Sequence, residues 1–169
     1  KVTLKFTPAG GGAAVTVTAT DPDGEGVQDI KVDGTINLIK GTQYTLSLEL
    51  INGLYKVGDD GYNITAEVEE EGDEHQFFFR FSEGAFSSPT GMGNIKDNSS
   101  STAGSINYLD KDVNNLPIGI STSWTSSGVA TSDKSFRVVL KHQPDIKSST
   151  STSLDGESDL DISFVLNVN

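Results

Sequence analysis

Five runs of this chain alternate apolar and polar residues with a period of two, and this constrains the fold more than any other feature. Val2, Leu4 and Phe6 alternate with Thr3, Lys5 and Thr7. Val15, Val17 and Ala19 alternate with Thr16, Thr18 and Thr20. Tyr44, Leu46, Leu48 and Leu50 alternate with Thr45, Ser47 and Glu49. Phe136, Val138 and Leu140 alternate with Arg137, Val139 and Lys141. Leu160, Ile162, Phe164, Leu166 and Val168 alternate with Asp161, Ser163, Val165 and Asn167. Successive side chains of a β-strand point to opposite faces, so each run reads as a strand with one buried and one wet face. The Thr and Val content suits a pleated, half-buried surface.

Further strands are predicted at 64–69, 76–82, 105–109 and 118–125. Glycine-rich turns punctuate them, as at Pro8-Ala9-Gly10-Gly11-Gly12 and Gly91-Met92-Gly93. No helical period of useful length stands out. About seven to nine strands with long loops and no helices predict an all-β, antiparallel, two-sheet Ig-like sandwich. The 169 residues fit one domain, 1–169. A hydrophobic content of 34% suits thin sheets with a wet face and long polar loops. Segments 87–104 and 147–158, rich in Ser, Thr, Gly and Asn, are expected to be those loops.

Charge narrows the partners. With 24 acidic against 12 basic residues the net charge is −12, which repels phosphate backbones and anionic membrane surfaces. Nucleic acid is therefore not expected as a partner. No apolar run approaches the ~20 residues of a membrane span, so any membrane attachment would come through an anchor outside this chain. The chain opens directly on strand-like sequence, as a mature or trimmed domain would. It has no cysteine, hence no disulfide, thiolate ligand or thiol nucleophile. No Gly-x-Ser-x-Gly elbow is present, and Gly91-Met92-Gly93 lacks the rest of a phosphate-binding fingerprint. Glu69-Glu70-Glu71 reads as a solvated charge run. The expectation is a protein that is not an enzyme.

Two acidic loops carry oxygen donors at alternating positions. Asp21, Asp23 and Glu25 lie in Asp21-Pro22-Asp23-Gly24-Glu25-Gly26; Asp110, Asp112 and Asn114 lie in Asp110-Lys111-Asp112-Val113-Asn114-Asn115. Calcium takes six to eight oxygens, and such spacing can point several of them inward. Asp and Asn are equally the preferred turn residues, and neither loop has the full EF-hand pattern. A third acidic cluster comprises Asp155, Glu157, Asp159 and Asp161.

The two histidines share a context. His75 has the parity of Phe77, Phe79 and Phe81; His142 has that of Phe136, Val138 and Leu140. Both imidazoles should point to the core side, one at a strand start and one at a strand end. If these strands are antiparallel neighbours, the rings lie within about 10 Å of one another. With Asp73, Glu74 and Asp145 nearby, such a pair would suit a transition metal, or a haem held between the histidines. The alternatives are two histidines that close the edge of the core with hydrogen bonds to a carbonyl or carboxylate, a pH sensor, or a partner contact. Among the aromatics, Phe78 is opposite in parity to its neighbours and is expected outside. Trp124 is expected in the core. Tyr62, Phe86 and Tyr108 either close the ends of the sandwich or form a docking patch.

The blocks Thr20-Asp21-Pro22-Asp23-Gly24, Thr42–Leu50, Asp73-Glu74-His75-Gln76-Phe77-Phe78-Phe79 and Phe136–Asp145 occur in that order, and through them most of the chain resembles a family of small surface lipoproteins of Bacteroidota. The His-Gln-Phe-Phe and Lys-His-Gln-Pro blocks are the most specific. The resemblance implies a β domain lipid-anchored at the outer-membrane cell surface, outside the cytoplasm, with the lipidated Cys and an acidic tether lying outside this chain. It also implies an outer-membrane protein partner, since some such lipoproteins assist TonB-dependent transporters. It assigns no activity to named residues. The functions expected are therefore a non-catalytic surface lipoprotein that binds a ligand or metal or serves as an accessory subunit, and, as an alternative, a calcium-stabilised adhesion or carbohydrate-binding module.

Overall fold

The computed structural model describes residues 1–24, 28–96 and 105–169. Among these are β1 (Val2–Pro8), β2 (Val15–Thr20), β3 (Lys31–Asp33), β4 (Ile36–Leu38), β5 (Gln43–Leu50), α1 (Ile64–Glu70), β6 (His75–Phe81), β7 (Phe86–Ser88), β8 (Asn107–Tyr108), β9 (Ser121–Ser126), β10 (Thr131–His142) and β11 (Glu157–Val168). One sheet runs β3-β2-β1-β5-β9-β7, with β8 also on β9. The other runs β4-β11-β10-β6. Every pairing is antiparallel except that of β4 with β11. The chain thus forms the two-sheet all-β sandwich that the alternation predicts. Eleven strands are present among the described residues, against the seven to nine expected. Of the unexpected ones, β3, β4 and β7 are three residues each, too short to show alternation.

Residues 64–69, expected as a strand, are helical. Asn63 caps the N-terminus, its side chain accepting from the Ala66 N–H, and Val68 is buried one turn after Ile64. Ile64, Ala66 and Val68 mimic a strand's alternation, but Ala66 is exposed. The Thr65 hydroxyl both accepts from the Leu50 N–H (2.7 Å) and donates to the Leu50 carbonyl (3.2 Å), docking the helix on the end of β5.

The core is the sum of the inward faces. Leu4, Phe6, Leu46, Leu48 and Trp124 from one sheet meet Phe77, Phe79, Phe81, Phe136, Val138 and Phe164 from the other. Trp124 is fully buried, with Phe86, Phe136, Phe81 and Phe79 at ring distances of 4.8, 5.1, 5.5 and 5.6 Å. Phe86 therefore belongs to the core, and the Tyr108 hydroxyl donates to the Phe77 carbonyl at 2.6 Å rather than presenting a docking edge. Burial pushes the Tyr108 phenol up to about 12.

Phe78, expected outside, is instead interior. It is 1% exposed and packs with Ile95 and Val139 in a small second core on the outer face of β6 and β10. The following segment folds back over that face: Asn94 Oδ1 accepts from the Phe79 N–H, and the Asn94 N–H donates to the Phe79 carbonyl. Gly93, at φ 92°, makes this approach possible, because a Cβ there would lie 2.1 Å from the Phe79 carbonyl oxygen. A covering loop thus turns the wet face of a strand into an interior. Phe78→Ala is expected to cost about 3 kcal/mol in urea denaturation, whereas a solvent-facing Phe would cost within about 0.5 kcal/mol.

Candidate metal centre

Strands β6 and β10 pair in register from Phe136↔Phe81 to His142↔His75. The two histidines are therefore directly opposite, at the start of one strand and the end of the other. Their rings stack with centroids 4.7 Å apart and planes 5° from parallel. His75 is 7% exposed, and His142 is half-buried.

The third member comes from an irregularity in β11. Leu140 pairs with Leu160 but Lys141 pairs with Ser158, so Asp159 is an extra residue in a bulge. Simple alternation would send Asp159 to the outer face with Asp161, whose carboxylate holds Arg137 there. The bulge turns it inward instead, with Oδ2 3.6 Å from His75 Nε2. One ligand atom each from His75, His142 and Asp159 lie within 4.8 Å of one another; among the described residues no other such group of His, Cys, Asp or Glu is present. Asp159, not Asp73 or Asp145, is the carboxylate that completes the set.

Each imidazole is oriented from behind. His75 Nδ1 lies 3.0 Å from the Glu71 carbonyl oxygen, so Nδ1 carries the proton and Nε2 offers the lone pair. His142 Nε2 lies 3.2 Å from Glu74 Oε2. A carbonyl or carboxylate behind the ring is how metal-binding histidines are commonly held in tautomer and direction. Haem does not fit: axial imidazoles meet iron end-on from opposite faces of the porphyrin, and parallel rings 4.7 Å apart leave no space for one between them.

The surrounding loops clamp this end of the sheet. Gln143, fully buried, donates through Nε2 to the Thr152 and Asp155 carbonyls, and its N–H donates to the Glu74 carbonyl. Gly156, at φ 73°, lets the chain pass so close to β10 that a Cβ there would lie 2.1 Å from the His142 carbonyl oxygen.

Among the described residues, the acidic-loop oxygens are engaged mainly by main-chain N–H groups. Asp21 Oδ1 accepts from the N–H groups of Asp23 and Gly24, as in an Asx turn, and Asp23 Oδ2 accepts from the Gln28 N–H across the loop. Glu25 lies outside the described residues. Asp110 accepts from the N–H groups of Gly119 and Ser121. Asp112 accepts from those of Asn114 and Leu116 through Oδ1 and from Lys147 Nζ through Oδ2, at 2.8 Å each. Asn114 is exposed. Residues 110–116 are thus held by main-chain N–H groups and one lysine.

Lys147 also donates to the Gly72 carbonyl at 2.5 Å, tying residues 110–116, the β6 approach and residues 143–155 together beside the histidines. The side chains of Lys147 and Asp112 are 0% and 1% exposed. Desolvation alone would raise the Asp112 pKa, but hydrogen bonds from Lys147 and the main chain outweigh it and hold the carboxyl below its ordinary 3.8. The folded-state value is depressed, so its contribution to stability is complete above 3.8 and disappears as pH falls through the folded-state value. Lys147→Met, which strands the buried carboxylate, should cost about 3–5 kcal/mol in urea denaturation at pH 7. That penalty should shrink in acid, where Asp112 is protonated. An equal penalty at both pH values would contradict a buried ion pair. No protein-family model, curated protein or solved structure matches this chain, so the chemistry of the centre rests on its own residues.

Proposed function

We propose that this chain is a non-catalytic binding domain that takes up one divalent transition-metal ion through His75, His142 and Asp159. The observation that carries the proposal is the stacked pair of imidazoles at 4.7 Å, with the Asp159 carboxylate turned into the same space by the β11 bulge. Two imidazole nitrogens and one carboxylate suit zinc, copper, nickel or iron better than calcium. Zinc–nitrogen bonds of about 2.0–2.1 Å in tetrahedral geometry bring two ligand nitrogens to about 3.4 Å. The stacked rings, 5° from parallel, would have to tilt apart by tens of degrees to aim both in-plane lone pairs at one ion, so metal binding is expected to unstack them.

Three protein donors leave a zinc ion one open position. The other carboxylates beside the histidines are engaged with them: Glu74 lies 3.2 Å from His142, and Glu71 Oε2 lies 4.0 Å from His75.

The Glu74-His75 and Lys141-His142-Gln143 segments that build the centre belong to the two blocks that most resemble Bacteroidota surface lipoproteins. We therefore place the domain outside the cytoplasm, lipid-anchored at the cell surface, as an accessory to an outer-membrane transporter or assembly. No helix among the described residues is long and apolar enough to cross a membrane. Co-purification with a large outer-membrane protein supports this placement, and recovery of the native protein in the cytoplasmic fraction contradicts it.

Titration calorimetry with zinc at pH 7.5 is expected to give one ion per chain. His142→Ala should weaken binding by at least about tenfold, and Glu74→Gln, which leaves the ring but not its orienting carboxylate, by about tenfold. Lowering the pH should weaken binding as protons compete for the imidazoles. Absence of binding to the unaltered chain contradicts the proposal.

A further inference from the structure

We infer that the metal centre opens onto a groove, and that the ion's free position takes a chelating anion with an apolar body. This rests on the metal reading above and extends it to the ligand. A groove of about 830 Å³ lies at the histidine end of the sandwich, between the ends of β1, β2 and β5 and the start of β11. That volume is in the range of small-molecule sites. Ile64, Leu160 and Ile162 line its inner part, while Ile30, Leu54 and Tyr55 stand at its rim, 39%, 77% and 50% exposed.

The link between groove and centre is Asp159, which lines the groove and also reaches His75 with its carboxylate. Of the three metal donors it is the one that lines the groove; neither histidine does. Two neutral imidazoles and one carboxylate leave a divalent ion with a formal charge of +1, which a hard anionic head such as a carboxylate or hydroxamate neutralises. The chain of that ligand then runs over Leu160 and Ile162. Without the ion the same head meets Asp159 and Asp21, offset only by Lys1, in a protein of net charge −12, so tight binding depends on the metal.

The test compares octanohydroxamate with acetohydroxamate by calorimetry on the zinc-loaded chain. The two share a head and differ by six methylenes, and each methylene fully buried is worth about fourfold in affinity. Octanohydroxamate is expected to bind at least about tenfold more tightly, since an open groove buries only part of the chain. Metal-free protein should bind neither. Leu54→Ser, on the exposed rim, should reduce the chain-length preference while leaving zinc affinity unchanged. If zinc binds and the two hydroxamates bind equally or not at all, this inference is wrong and the metal reading stands. If zinc does not bind, both fall.

Discussion

The pairing of β6 with β10 is the constraint on which the rest depends. Residues directly opposite on antiparallel strands have Cβ atoms about 5 Å apart, so register decides which side chains meet. Here it places Phe136 on Phe81, Val138 on Phe79, Leu140 on Phe77 and His142 on His75. The first three pairs feed the core around Trp124, and the fourth makes the imidazole stack. A slip of one residue would carry Phe77, Phe79, Phe81 and His75 together off the core face and away from His142, so the hydrophobic core itself fixes the geometry of the centre.

What surrounds that register converts a sheet end into a site. The bulge at Asp159 brings a carboxylate across from the wet face, and Gly156 lets the preceding chain lie against the His142 carbonyl. Gln143 and Lys147 hold the neighbouring loops by buried hydrogen bonds. A buried polar group without a partner is costly, so these contacts make the local arrangement stiff. A stiff frame leaves the motion that metal binding requires to the two imidazoles and one aspartate.

Much of this was legible in the residues. Alternation located the long strands, and the shared parity of His75 with Phe77, and of His142 with Leu140, anticipated that the rings would meet. Asp159 was visible only as part of an acidic run, because a bulge reverses parity without leaving a local signature. Phe78 failed for a related reason: parity assigns a face, but whether that face is wet depends on Ile95 and Asn94, contributed by a later segment. Residues 64–69 read as a strand because Ile64 and Val68 fit both periods and Ala66 completes an alternation; the Asn63 cap and the docking of Thr65 on Leu50 decide for the helix. In the loop at Asp110, the same oxygens that suggested calcium serve to bind main-chain N–H groups, a choice that spacing alone does not reveal.

The most direct measurement is a crystal structure of the zinc-soaked chain with anomalous data collected at the zinc edge. The account predicts a single strong peak bonded to one nitrogen each of His75 and His142 and to Asp159, at about 2.0–2.2 Å. A map with no peak between the two imidazoles, or with its strongest peak at the acidic loops of Asp21 or Asp110, would contradict it.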